Sequence, residues 1–78
     1  MTRLGFLRAM EEILGIEKRA LRDDDTRDTV PQWTSLADVQ IFTLIKTEFG
    51  IEPDSDLITA ETVGELADNL RDKGAFSE

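Results

Sequence analysis

The sequence predicts an all-α domain: a small bundle of three main helices plus one short helix, with a long loop between the first and second. Three observations predict it. Apolar residues recur three and four apart in three separate segments, the period of an amphipathic helix. No stretch alternates apolar and polar as a half-buried strand would. The chain has 78 residues, room for a single domain.

The first helix is expected over about residues 2–16. Leu7, Met10 and Leu14 form its stripe, widened by Leu4, Phe6 and Ile13, while Arg3, Arg8, Glu11 and Glu12 fall mainly outside it. Thr2 is placed to cap its start and Gly15 weakens its end. Residues 17–33 read as a long connection. Asp23, Asp24, Asp25, Arg27 and Asp28 are charged enough to stay at the surface, and Pro31 stops any helix. Leu21, Val30 and Trp33 are the expected points where the loop is pinned to the core, with a short turn near Lys18.

The second helix is expected over 35–49, with Gly50 as its stop. Its apolar residues, Leu36, Val39, Ile41, Phe42, Leu44, Ile45 and Phe49, exceed what one stripe holds. Such a helix sits centrally in a bundle, leaves apolar surface for a partner, or does both. A turn-rich acidic stretch, Ile51 to Asp56, leads to a short helix at 55–58. The last helix is expected over about 60–72, starting at Ala60 or Thr62, with Val63, Leu66, Ala67 and Leu70 inward, Thr59 as a candidate cap, Glu61 in its first turn and Gly74 closing it. The tail, 75–78, is expected to fray.

Composition narrows the function. Nine Lys and Arg against seventeen Asp and Glu give a net charge of −8. Nucleic acid and anionic membrane surfaces both demand basic patches, so neither is an expected partner; helix-turn-helix DNA binding fails on the same ground. The charge suits basic protein surfaces. With no Cys, no His and no Tyr, the thiol nucleophile, the thiolate or imidazole metal ligand and the commonest general base are all absent. An enzyme is therefore not expected. No apolar run approaches the roughly 20 residues that span a bilayer. The opening stretch lacks the apolar core and cleavage site of a signal peptide, which makes the cytoplasm the expected location.

Three candidate sites stand out. Ser35 follows the long loop and opens the second helix. Its ordinary role there is capping, with Asp38 three residues on resembling a capping box. Its sharper role is an attachment point for a phosphate-linked group, since first-turn N–H groups and the positive helix end favour an anion. The acidic run from Asp54 starts like an EF-hand loop, but Ile58 and Thr59 stand where that loop needs an oxygen ligand and a glycine. A run begun at Asp23 puts Arg27 at the fifth position. Neither makes a calcium site, and no metal is expected. Trp33 either anchors the loop or borders the Ser35 site.

The stretch Trp33-Thr34-Ser35-Leu36-Ala37-Asp38-Val39-Gln40-Ile41-Phe42, continuing to Glu48-Phe49-Gly50-Ile51, resembles the acyl carrier protein family. That family's signature is Asp-Ser-Leu, a helix with Val three residues after the Leu, and an end such as Glu-Phe-Gly. Ser35, Leu36, Val39, Ile41, Ile45, Glu48 and Phe49 fall in register without a gap, and Thr62-Val63 with Leu66 and Leu70 matches the last helix. The likeness covers nearly the whole chain. It implies an acyl-carrier-like bundle in which Ser35 carries 4′-phosphopantetheine, attached from coenzyme A by a phosphopantetheinyl transferase, with Thr34 and Leu36 beside it. Acyl groups of fatty-acid, polyketide or specialised lipid biosynthesis would ride as thioesters on the arm's thiol, the cofactor supplying the sulfur the protein lacks.

The resemblance further implies that Leu36, Asp38, Val39, Glu48, Asp54 and Asp56 meet loading and processing enzymes with basic docking patches, and that the carrier is a monomer. Three departures accompany the likeness. Thr34 replaces the usual Asp before the serine, Lys46 and Thr47 stand where acids are common, and the loop before Val63 is slightly short. Together they point to a specialised carrier. Two alternatives stand beside it: an aminoacyl or peptidyl carrier of a nonribosomal pathway, and an unmodified interaction adaptor with the carrier fold.

Overall fold

The computed structural model describes residues 1–77. Its helices are α1 (Arg3–Leu14), α2 (Ser35–Phe49), α3 (Ser55–Ile58) and α4 (Val63–Asp72). Among the described residues there is no strand, only an isolated antiparallel bridge between Thr26 and Thr62. No helix of this set is long and apolar enough to cross a membrane.

Local chemistry sets the bounds of α1. The Thr2 hydroxyl accepts the Gly5 N–H at 3.0 Å. At the other end Gly15 turns left-handed at φ 71°, and the Ile16 N–H returns to the Glu11 carbonyl at 3.1 Å. That closure ends the helix at Leu14, two residues earlier than the expected Ile16. Phe6, Leu7, Met10 and Leu14 are buried. Leu4, expected to widen the stripe, is 59% exposed. Glu11, expected outside it, is only 2% exposed.

The α2 residues facing the core are Ala37, Ile41 and Ile45, spaced four apart. Phe42, Leu44 and Phe49 are half-buried on its flanks. The helix thus enters the core along one stripe, and Leu36 and Val39 are left at the surface.

The long loop is pinned where expected: Leu21, Val30 and Trp33 are buried. Its backbone also completes α4. The Asp25 and Asp23 carbonyls accept the Val63 and Gly64 N–H groups at 3.0 and 2.8 Å, satisfying donors at the helix start that have no intrahelical partner. This approach favours a glycine, because a Cβ on Gly64 would stand 3.1 Å from the Asp23 carbonyl oxygen, a tight contact. Arg3 spans the same seam, donating to Asp68 at 2.8 Å and Asp23 at 3.2 Å.

Two expectations near the C-terminus need correction. The last helix starts at Val63, not residue 60, and its cap is Thr62, not Thr59. Thr59 instead ends α3, its hydroxyl donating to the Ser55 carbonyl, while Ala60 is buried. Thr62 is the better cap because its extended backbone aims the hydroxyl at the Glu65 N–H at 3.0 Å, and Glu65 reaches back to the Glu61 N–H at 3.0 Å. The tail, expected to fray, packs on the bundle at Phe76. The Phe76 ring lies 6.0 Å from Phe6 and 5.7 Å from Phe49, and the Ser77 N–H donates to the Met1 carbonyl at 3.3 Å. Aromatic packing across α1 and the end of α2 holds it. The expectation for Glu78 lies outside the described residues.

Candidate functional site

Residues 30–34 turn the chain into α2, with the Trp33 N–H on the Val30 carbonyl at 2.9 Å. Thr34 is extended at φ −97° and ψ 178°, and its hydroxyl accepts the Ala37 N–H at 3.4 Å. Its carbonyl accepts the Asp38 N–H at 2.9 Å, the first bond of the helix. Thr34 is thus the N-cap, and the capping role weighed for Ser35 is corrected. Ser35 is the first helical residue, exposed, and its hydroxyl makes no hydrogen bond with the other described residues. With the cap at Thr34, Asp38 falls one residue too far along to complete a capping box.

Asp38 turns to the loop instead. Its Oδ1 accepts from Trp33 Nε1 at 2.7 Å and from Arg27 Nη2 at 2.8 Å, and its Oδ2 accepts from Arg27 Nε at 3.1 Å. The Arg27 guanidinium lies 4.4 Å from the centre of the Trp33 ring. Its Nη1 donates to the Ala60 carbonyl at 3.1 Å. Asp38, expected to meet a partner's basic patch, is engaged within the fold by an internal arginine. Trp33 is a loop anchor, buried and hydrogen-bonded next to the start of α2.

Large apolar side chains are exposed on both α2 and α3. Leu36 is 69% exposed, Val39 60% and Ile58 54%. Leu36 and Val39 lie three apart and share a helix face. Of the acidic residues singled out, Glu48 and Asp56 are exposed. Asp54 is also exposed, but it caps α3 through the Leu57 N–H at 3.1 Å and binds Lys73 Nζ at 2.6 Å. The Lys73 hydrogen bond, helped by the Leu57 N–H, holds its carboxyl below the usual range. Lys46, on the last turn of α2, pairs with Glu52 at 3.2 Å.

Two clefts open elsewhere. One of about 430 Å³ lies along α1 between Met1, Arg8, Glu12, Ile16 and Lys18. The other, about 310 Å³, lies between Thr26, Arg27, Asp28 and Glu61. Ser35 lines neither. Among the described residues, no group of three or more acidic side chains is arranged to hold a metal ion.

The sequence reading missed two organising residues. Glu11 accepts from the Leu21 N–H at 2.9 Å and from Arg8 Nη1 at 2.6 Å. Burial pushes its carboxyl up, but the Leu21 and Arg19 N–H groups and the Arg8 guanidinium outweigh it, and the net shift is downward. The signal was available: Glu11 stands four after Leu7 and three before Leu14, on the buried stripe itself. Arg19 presents its N–H from a left-handed conformation, φ 71°. Arg27 carried no such signal, since nothing in the spacing of Arg27, Asp38 and Ala60 marks them as neighbours.

No protein-family model, curated protein or solved structure matches the chain.

Proposed function

We propose that the chain is an acyl carrier protein, with an acyl-carrier-like arrangement of its helices and 4′-phosphopantetheine carried on Ser35. The observation that supports the reading is the state of that hydroxyl. It is exposed at the first residue of α2, and Thr34, not Ser35, does the capping. A side chain spent on capping would have to leave its N–H to be modified; Ser35 has none to leave. The first-turn N–H groups stabilise an anion ester-linked at this place. Ser35 is exposed among the described residues, so the residues present fit the arm.

The arm supplies the thiol on which acyl groups travel as thioesters. The protein supplies a rigid mount: α2 is buried along Ala37, Ile41 and Ile45 and fixed at its start by Thr34, Asp38 and Trp33. Exposed Leu36, Val39 and Ile58 provide apolar contact for a phosphopantetheinyl transferase and for acyl-loading and acyl-processing enzymes. Glu48, Asp56 and the overall charge of −8 draw the basic patches of those enzymes, giving fast, salt-sensitive encounter. The chain itself catalyses nothing, and it works as a cytoplasmic monomer.

The test is intact mass after incubation with coenzyme A and a broad-specificity phosphopantetheinyl transferase. The expected result is a gain of one phosphopantetheine that Ser35→Ala abolishes. No gain with several transferases, together with a bare Ser35 in protein from its native cells, would replace the carrier with an unmodified adaptor. The mass of the cargo on native protein separates an acyl from an aminoacyl carrier.

A further inference from the structure

The exposed apolar side chains Leu36, Val39 and Ile58 come from two elements, α2 and the four-residue α3. A helix that short has no stability of its own. Its place is set by what ties it down: the buried Leu57, the Lys73 bond to Asp54, the Asn69 amide on the Asp56 carbonyl at 3.0 Å, and the segment that follows it. Each of the first three ties α3 to the core or to α4. Arg27 ties the segment to α2 by hydrogen bonds. Arg27 grips both oxygens of Asp38, which lies between Leu36 and Val39 in the sequence, and also the carbonyl of Ala60, two residues past Ile58. The Trp33 ring supports the guanidinium from one face and bonds the same carboxylate. A planar fork holds an acid and a carbonyl at a fixed mutual orientation, which an ammonium on a flexible stem does not.

We propose that Arg27 is a positioning residue for partner docking: it holds Ile58 in register with Leu36 and Val39, so that all three meet one enzyme surface together. The inference rests on the carrier reading. The partner it commits to is the phosphopantetheinyl transferase, which must approach α2 at Ser35 and, against a chain of charge −8, presents a basic face. Loss of the clamp frees the 58–60 segment, and the transferase meets a surface that must first be ordered, so encounter weakens while the reacting hydroxyl is untouched.

The experiment compares wild type with Arg27→Gln as transferase substrates, at a temperature where circular dichroism shows both fully folded. The expected result is a rise in KM for the carrier of about threefold or more with kcat unchanged, as for removal of a coupling contact. Faster amide exchange at Ile58, Thr59 and Ala60 accompanies it. Unchanged KM in a folded Arg27→Gln overturns the proposal, as does a fall in kcat alone. Should that variant lose its helical signal, Arg27→Lys, which keeps a charge for Asp38 but not the fork, is assayed in its place, and a wild-type KM there overturns the proposal equally. The two readings fail differently. If wild type takes no phosphopantetheine, the carrier reading falls and this one with it; if wild type is modified and the variants keep its KM, only the role of Arg27 falls.

Discussion

Replacing Glu11 with alanine removes the acceptor at the centre of the joint between α1 and the long loop. The carboxylate takes the Leu21 N–H at 2.9 Å, the Arg19 N–H and the Arg8 guanidinium at 2.6 Å, while the residue is 2% exposed. Hydrogen bonds to a charged group are worth about 1.5–3 kcal/mol each, and an N–H left buried without a partner costs about 1–3 kcal/mol. The Arg8 side chain is 26% exposed, so solvent screens part of its contact, and the sum rests on the two backbone bonds. Two backbone bonds, partly replaced by water once the loop loosens, give an expected loss of about 2–4 kcal/mol for Glu11→Ala. A domain of this length has about 4–12 kcal/mol in all, so the variant stands near its unfolding limit. Glu11→Gln keeps one acceptor oxygen and loses the charge, and is expected to cost about half as much.

The pH dependence follows from the direction of the shift. The folded-state carboxyl lies below its ordinary value of 4.5. Its contribution is therefore complete above that value and is lost as pH falls through the lower folded value. Urea unfolding of wild type and Glu11→Gln should show a stability difference that is constant near neutrality and shrinks below about pH 4.5. Taking the difference between the two proteins cancels other acids shifted the same way, Asp54 and Asp68 among them. A loss under about 0.5 kcal/mol for Glu11→Ala, the range of an ordinary surface substitution, would refute the account. So would a difference that grows in acid.

Gly64→Ala should destabilise by about 1–3 kcal/mol, because the new methyl meets the Asp23 carbonyl at 3.1 Å and its Cβ at 3.2 Å and must displace the loop by a few tenths of an ångström; a thermal melt reads it, and an unchanged midpoint would mean the loop gives freely. Ile45→Ala, at 0% exposure, should cost about 2–5 kcal/mol. Val39→Asp should leave the helical signal and unfolding midpoint nearly unchanged while weakening transferase docking; loss of helix there would mean that Val39 supports the core.

The helices were legible because their causes are local. Thr2, Gly15 and Gly50 act on backbone groups within a turn of themselves, and the stripes of Leu7, Met10 and Leu14 or Ile41 and Ile45 show in spacing alone. Capping was legible only to within a residue or a short stretch. Ser35 and Thr34 are both good caps, and Thr59 and Thr62 equally so, and the choice fell to whichever took an extended backbone. Ser35 was legible as a candidate from its position; that its oxygen is spare depended on Thr34 taking the cap.

The sequence by itself determined that this is a small all-helical chain, acidic, with a central helix too apolar for one stripe and a serine at its start. The tertiary structure alone decided that Glu11 takes the Leu21 N–H, that Asp38 belongs to Arg27, that the Asp23 and Asp25 carbonyls finish α4, and that Phe76 packs against Phe6 and Phe49. Each of these is a pairing between residues well separated along the chain. A carboxylate or an aromatic ring carries the same signature whether it faces water or a distant partner, and only the folded geometry supplies the donor or the ring that makes burial favourable.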